Sequence, residues 1–110
     1  MSKSKVALVK CDDYGLERVN DAVRRGVELL GGIANFVKPN ERIVMKPNLL
    51  IASNPDKCVT THPSVFRAVG LLLKQSGAVV SYGDSPSIGG CAFNARGAGF
   101  KRIADELEIV

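Results

Sequence analysis

The sequence predicts an α/β fold: a three-layer α/β/α sandwich on a mostly parallel sheet, Rossmann-like in the broad sense. Two observations carry that prediction. Short apolar runs at Val6–Val9, Ile43–Lys46 and Ala78–Tyr82 read as strands, and the first is continuous enough to be covered on both faces. The stretches that follow them carry apolar residues at helical spacing, so the order is β-α-β-α-β-α, and Glu108–Val110 reads as a truncated fourth strand. Alternation of this kind makes a parallel sheet with helices on its faces.

Each element has its own local warrant. Cys11-Asp12-Asp13-Tyr14-Gly15 breaks the first run. Leu16, Val19, Val23, Val27 and Leu30 then recur on one helical face, with Glu17, Arg18, Arg24, Arg25 and Glu28 opposite. Asp12 or Asp13 is placed to cap this helix, and Gly31-Gly32 to end it. Ile33–Val37 is ambiguous, and Lys38–Glu41 is a turn. After the second strand, a loop from Pro47 to about Val59 is long enough to suspect of function. Pro63 suits a first helical position, because its missing N–H is an orphan there, and it sets the helix start just after His62. Val65, Phe66, Val69, Leu72 and Leu73 form the buried stripe, and Gly77 closes it. Gly83–Gly90 is a loop by composition. A broken helical region follows: Cys91–Arg96, an interruption at Gly97-Ala98-Gly99, then Phe100–Leu107 with Phe100, Ile103, Ala104 and Leu107 inward.

The chain has 110 residues, room for one domain with a modest core. With 45% hydrophobic residues, 24% charged, four Phe, two Tyr and no Trp, its core is aliphatic. A net charge of +4 suits anionic small ligands, while the absence of a basic stripe argues against nucleic acid. The N-terminus lacks the apolar core of a signal peptide, and no run of about 18 apolar residues occurs, so a cytoplasmic, non-membrane protein is expected. Cys11, Cys58 and Cys91 form no Cys-x-x-Cys pair; three free thiols are expected, with no metal or cluster held here. The chain ends within a strand, which reads as an N-terminal fragment of a longer protein.

In a parallel sheet the βα loops leave one edge, where ligands bind. Lys46 either holds a phosphate or carboxylate there or extends its ammonium to solvent. Asn48 either recognises a ligand or satisfies its own turn. Thr60, Thr61 and His62 precede a helix whose free N–H groups attract anions, though plain capping by Thr61 or His62, helped by Ser64, explains them equally. Asp84 and Ser85, in the glycine-rich Gly83–Gly90 loop, are ligand contacts or parts of an Asx-turn. That loop matches neither a Walker motif nor Gly-x-Gly-x-x-Gly. The ligand-binding set is therefore Lys46, Asn48, Thr61, His62, Asp84 and Ser85. In an enzyme, Lys46 would stabilise negative charge and His62 or Asp84 would move protons.

The runs Val6–Lys10, Ile43-Val-Met-Lys-Pro-Asn-Leu49, Thr60-Thr-His-Pro63, Gly77–Val80 and Gly83-Asp-Ser-Pro86, taken in this order, resemble domain of unknown function family 362. That group is often associated with iron–sulfur proteins, and many of its longer members carry ferredoxin-type cysteine clusters. The resemblance implies an N-terminal part of an iron–sulfur-associated, redox-linked protein. The cluster cysteines are absent from this chain, so any cluster belongs to the remainder of such a protein. The expected function is an anionic small-molecule site at the C-terminal edge of the sheet. The alternative is a non-catalytic docking or scaffold domain for an electron-transfer partner.

Overall fold

A computed structural model describes residues 3–48, 57, 60–83 and 99–110. Among them, helix α1 (Leu16–Leu29), strand β1 (Arg42–Met45), helix α2 (Pro63–Gln75), strand β2 (Val79–Tyr82) and helix α3 (Phe100–Glu106) follow in order, with a 3-10 turn at Ile33–Asn35. This is an α/β arrangement. The strands pair in parallel, with Arg42 opposite Val79 and Met45 opposite Tyr82.

Strand alternation divides the sheet into two faces. Met45 and Val80 are buried, and with Ile43 and Tyr82 they face a core of Phe66 and Leu73 from α2, Phe100, Ile103 and Ala104 from α3, and Ile109. Phe66 anchors this core. Its ring stacks on Phe100 at 4.6 Å between centroids and meets Tyr82 edge-on at 5.1 Å. Val44 and Val79, pointing the other way, are 69% and 57% exposed. The described residues thus form one helical layer over one sheet face.

Local signals set the helix ends. Helix α1 has Gly15 as its N-cap and no side-chain cap; Asp13 instead folds an Asx-turn, its Oδ1 accepting from the Gly15 N–H at 2.9 Å. The chain leaves α1 through Gly31 and Gly32, at φ of 109° and 94°. Helix α2 starts at Pro63 and ends through Gly77, at φ 83°, where the Ala78 N–H reaches the Leu73 carbonyl at 3.2 Å. The Gly77 carbonyl then accepts from Asn40 at 2.9 Å and ties the end of α2 to the start of β1.

Two expectations differ in detail from what is observed. Val6–Val9, predicted as the first strand, pairs with no strand among the described residues: Val6 and Leu8 are 89% and 94% exposed, and Ala7 and Val9 are half-buried. An apolar run encodes the demand for cover; the strand that pairs with it is a non-local choice. Glu108–Val110 likewise forms no regular strand, but the Tyr82 N–H donates to the Val110 carbonyl at 3.2 Å, on the side of β2 away from β1. Cys91–Arg96 and Gly97-Ala98 lie outside the described residues.

Candidate functional site

Strand β1 delivers Lys46, Pro47 and Asn48 to the C-terminal edge of the sheet. Helix α2 begins at the same edge, because it runs antiparallel to β1. One backbone hydrogen bond joins the two segments: the Thr61 N–H donates to the Asn48 carbonyl at 2.9 Å. Lys46, Asn48, Thr61 and His62, four of the residues singled out by sequence, therefore share one edge. The Gly83 N–H donates to the Met45 carbonyl at 3.1 Å and brings the start of the third loop beside them. Asp84 and Ser85 lie outside the described residues.

His62 is the N-cap of α2. Its Nδ1 accepts from the Ser64 backbone N–H at 3.1 Å and lies 2.8 Å from the buried Ser64 Oγ. An Nδ1 that accepts leaves the ring proton on Nε2, so the cap selects the tautomer. The capping reading of His62 is thus realised in the structure. The ring has a second partner that sequence reasoning missed. Tyr14 stacks on it at 3.9 Å between centroids, with the planes 7° from parallel. An aromatic residue just before a helix start was the available signal, since apolar side chains there commonly pack back on neighbouring structure.

Two cavities flank this junction. One, of about 360 Å³, runs along β1 and α2 and is lined by Ile43, Val44, Met45, Val65, Val69 and Leu73, with Lys46 and Thr61 at its end. The other, of about 460 Å³, lies below Tyr14 and His62 and is lined further by Arg67, Arg102, Ile103 and Glu106. Arg67 donates to Glu106 Oε1 at 3.0 Å across its floor, which joins α2 to α3.

Among the described residues there is one cysteine, the exposed Cys11, whose Sγ donates to the Asp13 carbonyl at 3.2 Å. No group of three or more His, Cys, Asp or Glu able to hold a metal occurs among them. Cys58 and Cys91 lie outside the described residues. No described helix is long and apolar enough to cross a membrane.

An α/β domain that brings Lys46, Asn48, Thr61 and His62 to one sheet edge is the class that fold and site define. The model of the domain of unknown function family DUF362 matches residues 43–110, and the chain belongs to that family. The match covers β1, the Thr61-His62 cap and the core helices. The chain is also 35% identical over 104 residues to a thylakoid-associated protein of Synechocystis sp., covering 94% of this chain and 32% of that protein. It therefore spans about a third of the length of this relative. No solved structure matches the chain.

Proposed function

We propose that this domain binds an anionic small molecule at the C-terminal edge of its sheet, with Lys46, Asn48, Thr61 and His62 as contacts and Asp84 and Ser85 contributed by the following loop. The observation that carries this reading is the Thr61–Asn48 hydrogen bond, which brings a cation-bearing strand end and a helix N-terminus to one edge. On this reading Lys46 supplies the charge, and the α2 N-terminus supplies the oriented N–H groups that His62 does not already occupy. The architecture proposed around it is a three-layer α/β/α sandwich, Rossmann-like in the broad sense.

Titration of ¹⁵N-labelled protein with inorganic phosphate, adenosine monophosphate and citrate tests the site. The expected result is amide shifts confined to residues 46–48, 60–64 and the loop after Gly83. Lys46→Met should weaken the response about tenfold or more, since a hydrogen bond to a charged group contributes about 1.5–3 kcal/mol. Silence at millimolar concentration, or shifts scattered over every surface lysine, counts against it.

A second reading, a docking domain for an electron-transfer partner, draws on the apolar Val44 and Val79 exposed on the outer sheet face. It gains if the titration is silent and Val44→Asp abolishes association with such a partner. The redox link and a cytoplasmic location are proposals at the level of the whole protein. Iron and acid-labile sulfide assays on the full-length protein test the first. Cell fractionation tests the second, and recovery in the membrane pellet would overturn it.

A further inference from the structure

We propose that Val6–Val9 is a strap that closes onto the edge of β1 away from β2 as an additional parallel strand, independently of any anion bound at the sheet edge. The apolar run carries the composition of a strand covered on both faces, yet Val6 and Leu8 are 89% and 94% exposed. Among the described residues no strand covers the edge it would join. In a parallel pair alternate residues bond to opposite sides. The carbonyls of Glu41 and Met45 accept from β2, at Val79 and Gly83. Val44, between them, directs its N–H and carbonyl the other way, where no described strand lies.

The direction of the segment is already correct. Helices α1 and α2 run parallel, because Tyr14 before one stacks on His62 before the other, and Asn20 and Arg24 share a void with Ala68, Leu72 and Gln75. Helix α2 is antiparallel to β1, since its end is tied to Asn40 and its start to Asn48. Val9 lies against the second half of α1, its Cγ2 3.7 Å from where a Cβ on Gly26 would stand, and the chain then returns to the start of that helix. Residues 9–14 thus run antiparallel to α1 and parallel to β1.

Handedness selects the edge. A strand–helix–strand crossover is right-handed in about 98% of cases. The β1–α2–β2 unit steps across the sheet in one direction, and Val110 continues that direction beyond β2. A crossover through α1, packed beside α2, must step the same way, so its strand belongs beside β1 on the side away from β2. The space is present there. The cavity between Val9, Val19, Val23 and Val65 holds about 440 Å³, the one along β1 about 360 Å³, and Val65 lines both. Closure would fill this trough with the Val6–Val9 side chains and bring Cys11-Asp12-Asp13 beside Lys46.

Amide hydrogen exchange of the 110-residue chain tests this, with Leu8→Asp as the variant. Closure predicts protection of the Val44 amide by at least about tenfold over a free edge, within a monomer. It also predicts that Leu8→Asp lowers the urea midpoint and releases the Val44 amide. An unprotected Val44 amide in the wild-type chain, or a midpoint unmoved by Leu8→Asp, overturns the proposal. So does protection that mixed-isotope samples trace to contacts between two molecules. Exchange at Val44 is read without ligand, so failure here is distinct from failure of the anion site.

Discussion

Tyr14 lies flat on His62, 3.9 Å between ring centroids, and this stack joins the start of α1 to the N-cap of α2. The imidazole does two things at once. Its edge caps a helix through Nδ1, and its face receives the phenol ring. A capping side chain held on its face has fewer rotamers to lose, so the stack and the cap support each other.

Tyr14→Ala should therefore lower stability by about 1 kcal/mol, the range of an aromatic pair. Tyr14→Phe should be nearly neutral, since the stack uses the ring and not the hydroxyl. Urea denaturation of both variants checks this. Equal loss from Phe and Ala would assign the effect to the hydroxyl.

His62→Ala removes both the acceptor for the Ser64 N–H and the ring that stacks on Tyr14, and should cost about 2 kcal/mol, an N-cap deletion and an aromatic pair together. His62→Asn keeps an acceptor at the cap and should recover about half of that loss, the share of the cap, while leaving the Tyr14 contact broken. In a double-mutant cycle with Tyr14→Ala, the His62→Ala background should make the tyrosine nearly irrelevant. Additive losses would show that the two rings act separately.

The bounds of helix α2 were legible in the sequence because their signals are local: Pro63 at the start, a polar cap before it, glycine after it. Of its expected buried stripe Phe66 and Leu73 are buried, while Val65, Val69 and Leu72 are half-buried and the small Ser64, Ala68 and Gly70 are buried instead. The strand cores were legible from local signals too, and observed β1 differs from the expected run by one residue at each end. The pairing of Val6–Val9 was not, since an apolar run demands cover without naming its partner. That Lys46, Asn48, Thr61 and His62 share one sheet edge was legible from the alternation of strands and helices. That Asn48 and Thr61 would bond to each other depends on the path of the chain between them, and that His62 would carry Tyr14 depends on how α1 packs on α2.

Gly77 sits at φ 83°, and a Cβ there would stand 3.4 Å from Pro39 Cα. An L-residue in the left-handed region loses about 1–2 kcal/mol. Gly77→Ala should destabilise by about that amount, and Gly77→Val by more, because branching meets the Pro39 backbone. Gly77→Asn should be milder, as asparagine tolerates this conformation. Thermal melts give the ranking, and an unchanged Tm for Gly77→Val would refute the close packing of the α2–β2 turn on Pro39.

Gly70 offers a test in which the sign carries the information. It lies inside α2, where replacing glycine by alanine ordinarily gains about 1 kcal/mol of helix propensity. Here the new methyl would meet Ile109 Cδ1 at 2.9 Å, and Leu107 Cδ1 and Met45 Cε at 3.3 Å each. All three are ends of flexible side chains, but they belong to one packed core, and forcing extra volume into such a core costs about 1–3 kcal/mol. Gly70→Ala should thus be neutral to destabilising by about 2 kcal/mol in the native background. Ile109→Ala alone should destabilise, by about 2–5 kcal/mol for a buried isoleucine. In that background the closest obstruction is gone, so Gly70→Ala should turn stabilising. A reversal of sign measured by urea denaturation would establish that the C-terminal residues pack directly on α2. The same gain in both backgrounds would mean that Ile109 does not contact Gly70 in solution.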